Sequence, residues 1–168
     1  MLRDLPDDFQ LDHLRAALGY LPEDKFGVAI DVGAHRGIWT KELCNNFRYV
    51  YAIEPTDLHK KIDERATVIN AAVGSKEGFC AMEDGKRNNG QTHVIPGNTT
   101  KMITLDSLEL KPNFIKIDVE GMEFDVLKGA KETILKYKPY VFIEEAGLSE
   151  RYGHYVGRAS NLLESWGM

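Results

Sequence analysis

Runs of apolar residues alternate with segments of helical periodicity along most of the chain. The runs are apolar almost throughout, which is typical of parallel strands that are buried on both faces. Strands are predicted at residues 26–32, 49–53, 66–70, 114–117 and 140–143, and helices at 38–46, around 57–64 and from about 122 to 137. This order predicts a single α/β domain over residues 1–168, with a core at 26–146 and helices on both faces of a mostly parallel sheet.

Two segments lie outside this regular alternation. Residues 1–25 are predicted to form a helical segment that packs on the main domain as a lid or support, because leucines recur on one helical face. Residues 74–113 are rich in glycine, asparagine and lysine and contain one predicted strand, at 101–105. Loops of that length in a compact domain are usually functional or mobile, so we interpret this segment as a substrate-side insertion.

Size and composition limit what the chain binds. Its 168 residues, 43% of them hydrophobic, suit one domain with a real core. The net charge of −5 disfavours a nucleic acid partner, because basic groups on phosphates supply most of that affinity. The two cysteines form neither a disulfide framework nor a zinc motif, and no apolar stretch reaches the ~20 residues of a membrane span. We therefore expect a cytoplasmic protein that binds neither nucleic acid nor a membrane.

The strongest local motif, DVGAHRG at residues 31–37, joins the first strand to the next helix. Gly33 allows a tight turn close to a ligand, and Gly37 allows the helix to pack against the strand. His35 stands where the dinucleotide-binding fingerprint has its middle glycine. Asp31 at the strand end would repel a pyrophosphate and attract an ammonium group. An ordinary strand–helix turn also fits these residues.

Two further features follow the second and third strands. Glu54 lies 21 residues beyond Gly33, a distance at which an acid in a βαβ unit accepts hydrogen bonds from ribose hydroxyls. Asn70, Ala71 and Ala72 follow the third strand, and their small side chains leave a flat slot for an adenine ring. Taken alone, an exposed carboxylate and an ordinary tight turn also account for these two features.

Candidate catalytic groups follow the fourth strand and lie in the insertion. Asp118 and Glu120 emerge where ligands bind in open α/β sheets, and such a pair can supply a general base. They can instead hold a divalent cation such as Mg²⁺, with Glu144 or Glu145 as a third oxygen ligand, although no metal site is predicted. His93 is the best histidine for a substrate-side base, while a plain loop histidine fits the sequence slightly better.

These motifs resemble the FkbM-type family of class I S-adenosylmethionine-dependent methyltransferases. The resemblance covers about residues 26 to 146 and is carried by DVGAHRGIWT (31–40), YAIEP (51–55), NAAVG (70–74), ITLDSL (103–108) and IKIDVEGMEFDVLKGA (115–130). It implies a Rossmann-like class I methyltransferase fold. It also implies transfer of a methyl group from S-adenosyl-L-methionine to a hydroxyl, often on a sugar or a natural-product scaffold.

The resemblance also implies roles for the site residues. Asp31, Gly33 and the following turn would meet the methionine end of the cofactor, Glu54 would hold the ribose, and Asp118 would sit beside the transferring methyl group. The residues expected to bind the cofactor are Asp31, Gly33, Ala34, His35, Gly37, Glu54, Pro55, Asn70, Ala71, Ala72 and Asp118. Those expected to be catalytic are Asp118, His93 and Glu120.

The sequence departs from the family at two places. His35 stands where an asparagine is usual, and the chain ends at residues 162–168, where the family's antiparallel final hairpin would begin. A five-stranded parallel core without that edge pair is therefore predicted. Because an uncovered edge at 140–143 would be a liability, we expect the N-terminal segment, the strand at 101–105 or a second subunit to cover it.

The sequence thus predicts O-methylation of a hydroxyl on a glycan or a small natural-product-like acceptor. Asp118 is the first candidate for the base, His93 the second and an Mg²⁺-polarised hydroxyl the third. Two alternatives stay open: a nicotinamide-dependent oxidoreductase, disfavoured by Asp31 and the missing third glycine, and a non-catalytic cofactor-binding interaction module. The acceptor's identity and the oligomeric state, including a homo-oligomer, are equally open.

Overall fold

The structure, a computed structural model, describes residues 7–83, 92–145 and 147–168. Its strands are β1 (Val28–Val32), β2 (Tyr49–Ile53), β3 (Thr67–Ile69), β4 (Ala72–Val73), β5 (Gly78–Glu83), β6 (His93–Ile103), β7 (Phe114–Ile117) and β8 (Tyr140–Ile143). Its α-helices are α1 (Asp7–Leu18), α2 (Ile38–Asn46), α3 (Glu123–Lys128), α4 (Lys131–Tyr137) and α5 (Arg158–Ser165). No helix within these ranges has the length and apolar character needed to cross a membrane.

Five strands form a parallel sheet in the order β3-β2-β1-β7-β8. The chain runs outward from β1 to β3 and then returns to the other side of β1, where β7 pairs with it. This reversal creates a crevice at the carboxyl ends of β1 and β7, the place where open α/β sheets bind ligands. The Rossmann-like fold predicted from the sequence is confirmed.

Helices cover both faces of this sheet. Side chains alternate between the two faces along each strand, so neighbouring residues pack against different helices. Ile30 and Ile115 pack with residues of α3, α4 and α5. Ala29 and Phe114, their neighbours along the strands, pack with residues of α1 and α2. The N-terminal helix α1 therefore supports α2 on one face of the domain, as its leucine spacing indicates.

The segment at 74–113 differs from the single strand predicted for it. It contains an antiparallel hairpin of β5 and β6, and β6 already begins at His93. The end of β6 also pairs in parallel with β4, giving a second sheet in the order β4-β6-β5. The apolar pattern misses β5 because most of its residues are partly or fully exposed, so no apolar run marks it.

The helix predicted from about 122 to 137 is two helices, α3 and α4. They separate at Gly129, where an added Cβ would lie 2.1 Å from the carbonyl oxygen of Gly74. The N-terminus of α4 is capped by a residue outside 122–137: Asp106 accepts a hydrogen bond from the backbone N–H of Thr133 at 2.8 Å. Asp106 in turn donates its own N–H to the carbonyl of Gly129 at 2.9 Å. Periodicity alone could not locate this break, because both partners of the junction are distant in sequence.

The strand β8 lies at an edge of the main sheet. Among the described residues it pairs only with β7. Of the expected covers, residues 101–103 belong to β6 of the second sheet, and α1 packs on α2. Neither α1 nor residues 101–103 pair with β8, and a second subunit at this edge stays a prediction.

Replacing Asp106 with alanine should lower the free energy of unfolding by about 1 to 2 kcal/mol, because the first turn of α4 loses its capping carboxylate. Urea unfolding followed by circular dichroism measures the change. Asp24→Ala, which removes an exposed carboxylate 3.8 Å from Lys25, is the control and should leave stability unchanged. Equal stability of Asp106→Ala and wild type would contradict the capping role.

Candidate functional site

A cleft with about 550 Å³ of space, which includes space open to solvent, lies at the carboxyl edge of the main sheet. Residues that follow β1, β2 and β7 form its floor and sides, and the start of β6 forms a wall on the insertion side. Nine of the residues singled out in the sequence line it: Gly33, His35, Glu54, Pro55, Ala71, Ala72, His93, Asp118 and Glu120.

The turn after β1 requires glycine for two reasons. Gly33 has a φ of +76°, and an added Cβ would lie only 1.9 Å from the carbonyl oxygen of Asp118. Its N–H donates to the carbonyl of Ile53 at 3.0 Å, which ties the turn to the end of β2. The backbone of β1 thus meets the backbone that follows β7 directly at the cleft.

His35 and Glu54 meet across the next part of the turn. His35 has a φ of +53°, a left-handed conformation that histidine adopts more readily than most residues. Its N–H donates to Oε2 of Glu54 at 2.8 Å. Thr56 donates its N–H and its hydroxyl to Oε1 of Glu54, at 2.9 and 2.6 Å. Because a carboxylate oxygen can accept two hydrogen bonds, Oε2 has room for one more donor.

Behind the cleft, a buried lysine joins two carboxylates. The Nζ of Lys116 lies 3.1 Å from Oδ1 of Asp31 and 3.5 Å from Oδ2 of Asp118, and it donates to the carbonyl of Gly33 at 3.1 Å. Thr40 donates its hydroxyl to the other oxygen of Asp31 at 2.6 Å. Asp31 is fully buried and is not among the residues that line the cleft. Its ammonium partner in the structure is Lys116, and contact of Asp31 with a cofactor stays a prediction.

Sequence reasoning missed Lys116, although a signal was present. A lysine inside an otherwise apolar, buried strand must find an anionic partner, because an unpaired buried charge is very costly. The neighbouring strand supplies one, since Asp31 stands beside Lys116 in the parallel register.

The loop after β7 carries Asp118 and Glu120 in an unusual backbone conformation. Glu120 has a φ of +57° and Gly121 a φ of +108°. Glu123 accepts the N–H of Gly121 at 2.9 Å and is only 1% exposed. Burial raises the pKa of the Glu123 carboxyl, an effect that hydrogen bonds from loop amides oppose. Glu123 therefore shapes the loop from below and presents no group to the cleft.

Three of the predicted cofactor residues support the cleft from outside. Ala34 is buried in a small cluster with Ile62. Gly37 precedes α2 with a φ of +82°, and an added Cβ there would lie 3.1 Å from the Cα of Ile62. Asn70 donates its side-chain N–H to the carbonyl of Glu54 at 2.9 Å. The structure thus gives these residues supporting positions, and direct contact with a cofactor stays a prediction.

The wall on the insertion side contains a histidine paired with a carboxylate. Nε2 of His93 lies 3.3 Å from Oε2 of Glu83, its partner across the β5–β6 hairpin. The side chain of His93 is 11% exposed and lines the cleft. Tyr152 donates its hydroxyl to the carbonyl of Val94 at 2.9 Å, which fastens this wall to the C-terminal part of the chain. The sequence did not indicate Glu83, because the strand that pairs it with His93 was not predicted.

The three-carboxylate cation site, which the sequence allows as an alternative, is not present among the described residues. Within these ranges no three histidine, cysteine, aspartate or glutamate side chains come together as a metal site requires. Glu145 instead accepts hydrogen bonds at the start of α5, from the N–H of Gly157 at 3.2 Å and from the hydroxyl of Ser160.

The fold and the cleft together define an open α/β domain with a carboxylate-lined cleft at its topological switch point. A family model described as the methyltransferase FkbM domain matches residues 31–167. The chain belongs to the FkbM methyltransferase family.

A solved structure has the same fold. The crystal structure of a methyltransferase FkbM from Methylobacillus flagellatus KT, at 2.20 Å resolution, superposes with a TM-score of 0.57 at 21% sequence identity. The match covers 88% of this chain and 38% of that one, so this chain spans well under half the length of its structural relative. No curated protein matches the chain.

Replacing Gly33 with alanine should destabilise the protein by roughly 2 to 5 kcal/mol. About 1 to 2 kcal/mol comes from the left-handed backbone and about 1 to 3 kcal/mol from the clash with Asp118. Gly153→Ala is a matched control, because Gly153 has a φ of +73° with no atom within 4 Å of an added Cβ. Urea unfolding measures both, and equal losses in the two variants would show that the contact between Gly33 and Asp118 is not tight.

Proposed function

We propose that the chain binds S-adenosyl-L-methionine in this cleft and transfers the methyl group to a hydroxyl of a sugar-like or natural-product-like small molecule. The observation that carries the proposal is the charge of the cleft. Glu54, Asp118 and Glu120 line it, and no lysine or arginine is among its described lining residues. Such a site favours a ligand with cationic sulfonium and ammonium groups over one with a pyrophosphate.

The residues present fit this cofactor. Oε2 of Glu54 can accept a hydrogen bond from a ribose hydroxyl, and Ala71 and Ala72 leave space for an adenine ring. The Gly33 turn lets a ligand approach the backbone, and Asp118 lies beside that turn with its carboxylate on the cleft. When bound, the sulfonium supplies an already activated methyl group. The protein's main task is then to align the acceptor oxygen with that group.

The acceptor hydroxyl needs a base, and the geometry favours His93 over Asp118. Lys116 lies 3.5 Å from Oδ2 of Asp118, so that this carboxylate already has an ion-pair partner within the protein. His93 lines the cleft on the insertion side, and the carboxylate of Glu83, 3.3 Å from its Nε2, orients the ring, as a general base requires.

Titration with S-adenosylhomocysteine, the demethylated product, tests the proposal directly. Isothermal calorimetry should show binding of that product and no binding of NADH. Binding of NADH without binding of S-adenosylhomocysteine would favour the oxidoreductase. If neither compound bound, a non-catalytic interaction module would be favoured. A screen for transfer of a tritiated methyl group to glycan and small-molecule pools then tests the acceptor class.

Replacing Glu54 with glutamine should weaken binding of S-adenosylhomocysteine by roughly 10- to 100-fold. The variant keeps the shape of the side chain and loses a charged acceptor, whose hydrogen bonds are worth about 1.5 to 3 kcal/mol. Calorimetry measures the affinity. The exposed Glu64→Gln is the control and should bind like wild type. Unchanged affinity in Glu54→Gln would remove Glu54 from the cofactor site.

Replacing His93 with asparagine should lower the turnover number about 10² to 10⁴-fold, the usual contribution of a general base. The affinity for S-adenosylhomocysteine should change little, because His93 lies on the acceptor side. Methyl transfer to the acceptor found in the screen measures turnover. Equal losses of turnover and cofactor affinity would make His93 a structural residue of the cleft.

A further inference from the structure

We propose that Lys116 is a positioning residue of the cleft: its buried ammonium holds Asp118 against the Gly33 turn and keeps that carboxylate charged toward the cationic centre of the cofactor. The inference rests on the proposed function, because it assigns an interaction to the bound sulfonium. It gives a specific task to a residue that does not itself line the cleft.

The sheet places the three charged groups together. Lys116 lies on β7, Asp118 directly follows that strand, and Asp31 stands beside Lys116 on β1. The ammonium lies within 3.5 Å of three oxygen atoms: it donates a hydrogen bond to the carbonyl oxygen of Gly33 and forms ion pairs with Oδ1 of Asp31 and Oδ2 of Asp118. The ring of Trp39 lies 5.5 Å from Nζ. Lys116 therefore joins both strands that bound the cleft.

The two carboxylates are not equivalent. Asp31 is fully buried and is also held by the hydroxyl of Thr40. The side chain of Asp118 is 12% exposed, and Asp118 lines the cleft. Asp31 thus anchors the ammonium, and Asp118 is the carboxylate that the ammonium presents to a ligand.

The ammonium of Lys116 is in contact with both carboxylates and offsets their mutual repulsion. It also holds Asp118 in the place where that residue lines the cleft. A cationic ligand centre beside the carboxylate of Asp118 is attracted to it, and a neutral centre is not. The group is therefore suited to distinguish a cationic ligand centre from a neutral one.

A purely structural role for Lys116 makes a different prediction. Buried ion pairs often contribute little net stability, and apolar residues of similar volume can replace them. If Lys116 only filled space and balanced charge, removing it together with one aspartate would leave ligand binding intact. If it positions Asp118, the same double change would restore stability and still impair recognition of a cation.

The test compares two ligands in two variants, Lys116→Met and the double variant Lys116→Met/Asp31→Asn. S-adenosylhomocysteine has a neutral thioether, and sinefungin has a protonated amine at the corresponding place. Calorimetry gives both affinities, and thermal unfolding gives stability. Lys101→Met, which removes an exposed lysine on β6, is the control and should match wild type in every measurement.

The melting temperature should fall in Lys116→Met, because two buried carboxylates lose their shared cation, and should recover largely in the double variant. In the double variant the affinity for sinefungin should fall at least fivefold more than the affinity for S-adenosylhomocysteine. Equal losses for both ligands, or full recovery of both affinities, would overturn the proposal, and so would a double variant that does not fold. Failure of wild type to bind either ligand would instead overturn the proposed function.

Discussion

The close approach of Gly33 to the carbonyl of Asp118 is the constraint on which the site depends. It brings the turn after β1 and the loop after β7 into backbone contact at the point where the strand order reverses. Every other feature of the cleft is arranged around this contact. Glu54 reaches the turn through the N–H of His35, and Lys116 reaches it through the carbonyl of Gly33. A side chain at position 33 would push the two strand ends apart and disturb both connections.

Much of the fold could be predicted because buried parallel strands are marked by apolar runs. The strands at 28–32, 49–53 and 114–117 are apolar almost throughout, since helices cover both faces of the sheet. The hairpin of β5 and β6 lacks such a mark, because its residues are largely exposed or partly buried. The break between α3 and α4 was missed for a different reason, since the capping Asp106 lies far from the helix in sequence.

The residues of the candidate site also fall into two groups, those that the sequence reveals and those that it does not. Residues that touch the cleft through local turn geometry, such as Gly33 and Glu54, follow from motif and spacing. Lys116 and Glu83 do not, because their roles depend on which strand lies beside which. Asp31 shows the limit most clearly. Its place at the end of β1 was right, but its partner is a lysine of the protein, supplied by a strand about 85 residues further along the chain.

Among the described residues, the two sheets of the domain have separate hydrogen-bond ladders. This separation determines which positions can be substituted without disturbing the strand pairing of the main sheet. Gly33, Glu54 and Asp118 line the cleft from the ends of the parallel strands, whereas Ala72, His93 and Val94 line it from the second sheet. Tyr152 fastens that hairpin through a main-chain carbonyl, a contact that does not depend on the identity of the side chain at 94. Residues on the hairpin can therefore be exchanged without disturbing strand pairing in the core. Such exchanges would alter one wall of the cleft and leave the ends of the parallel strands in place.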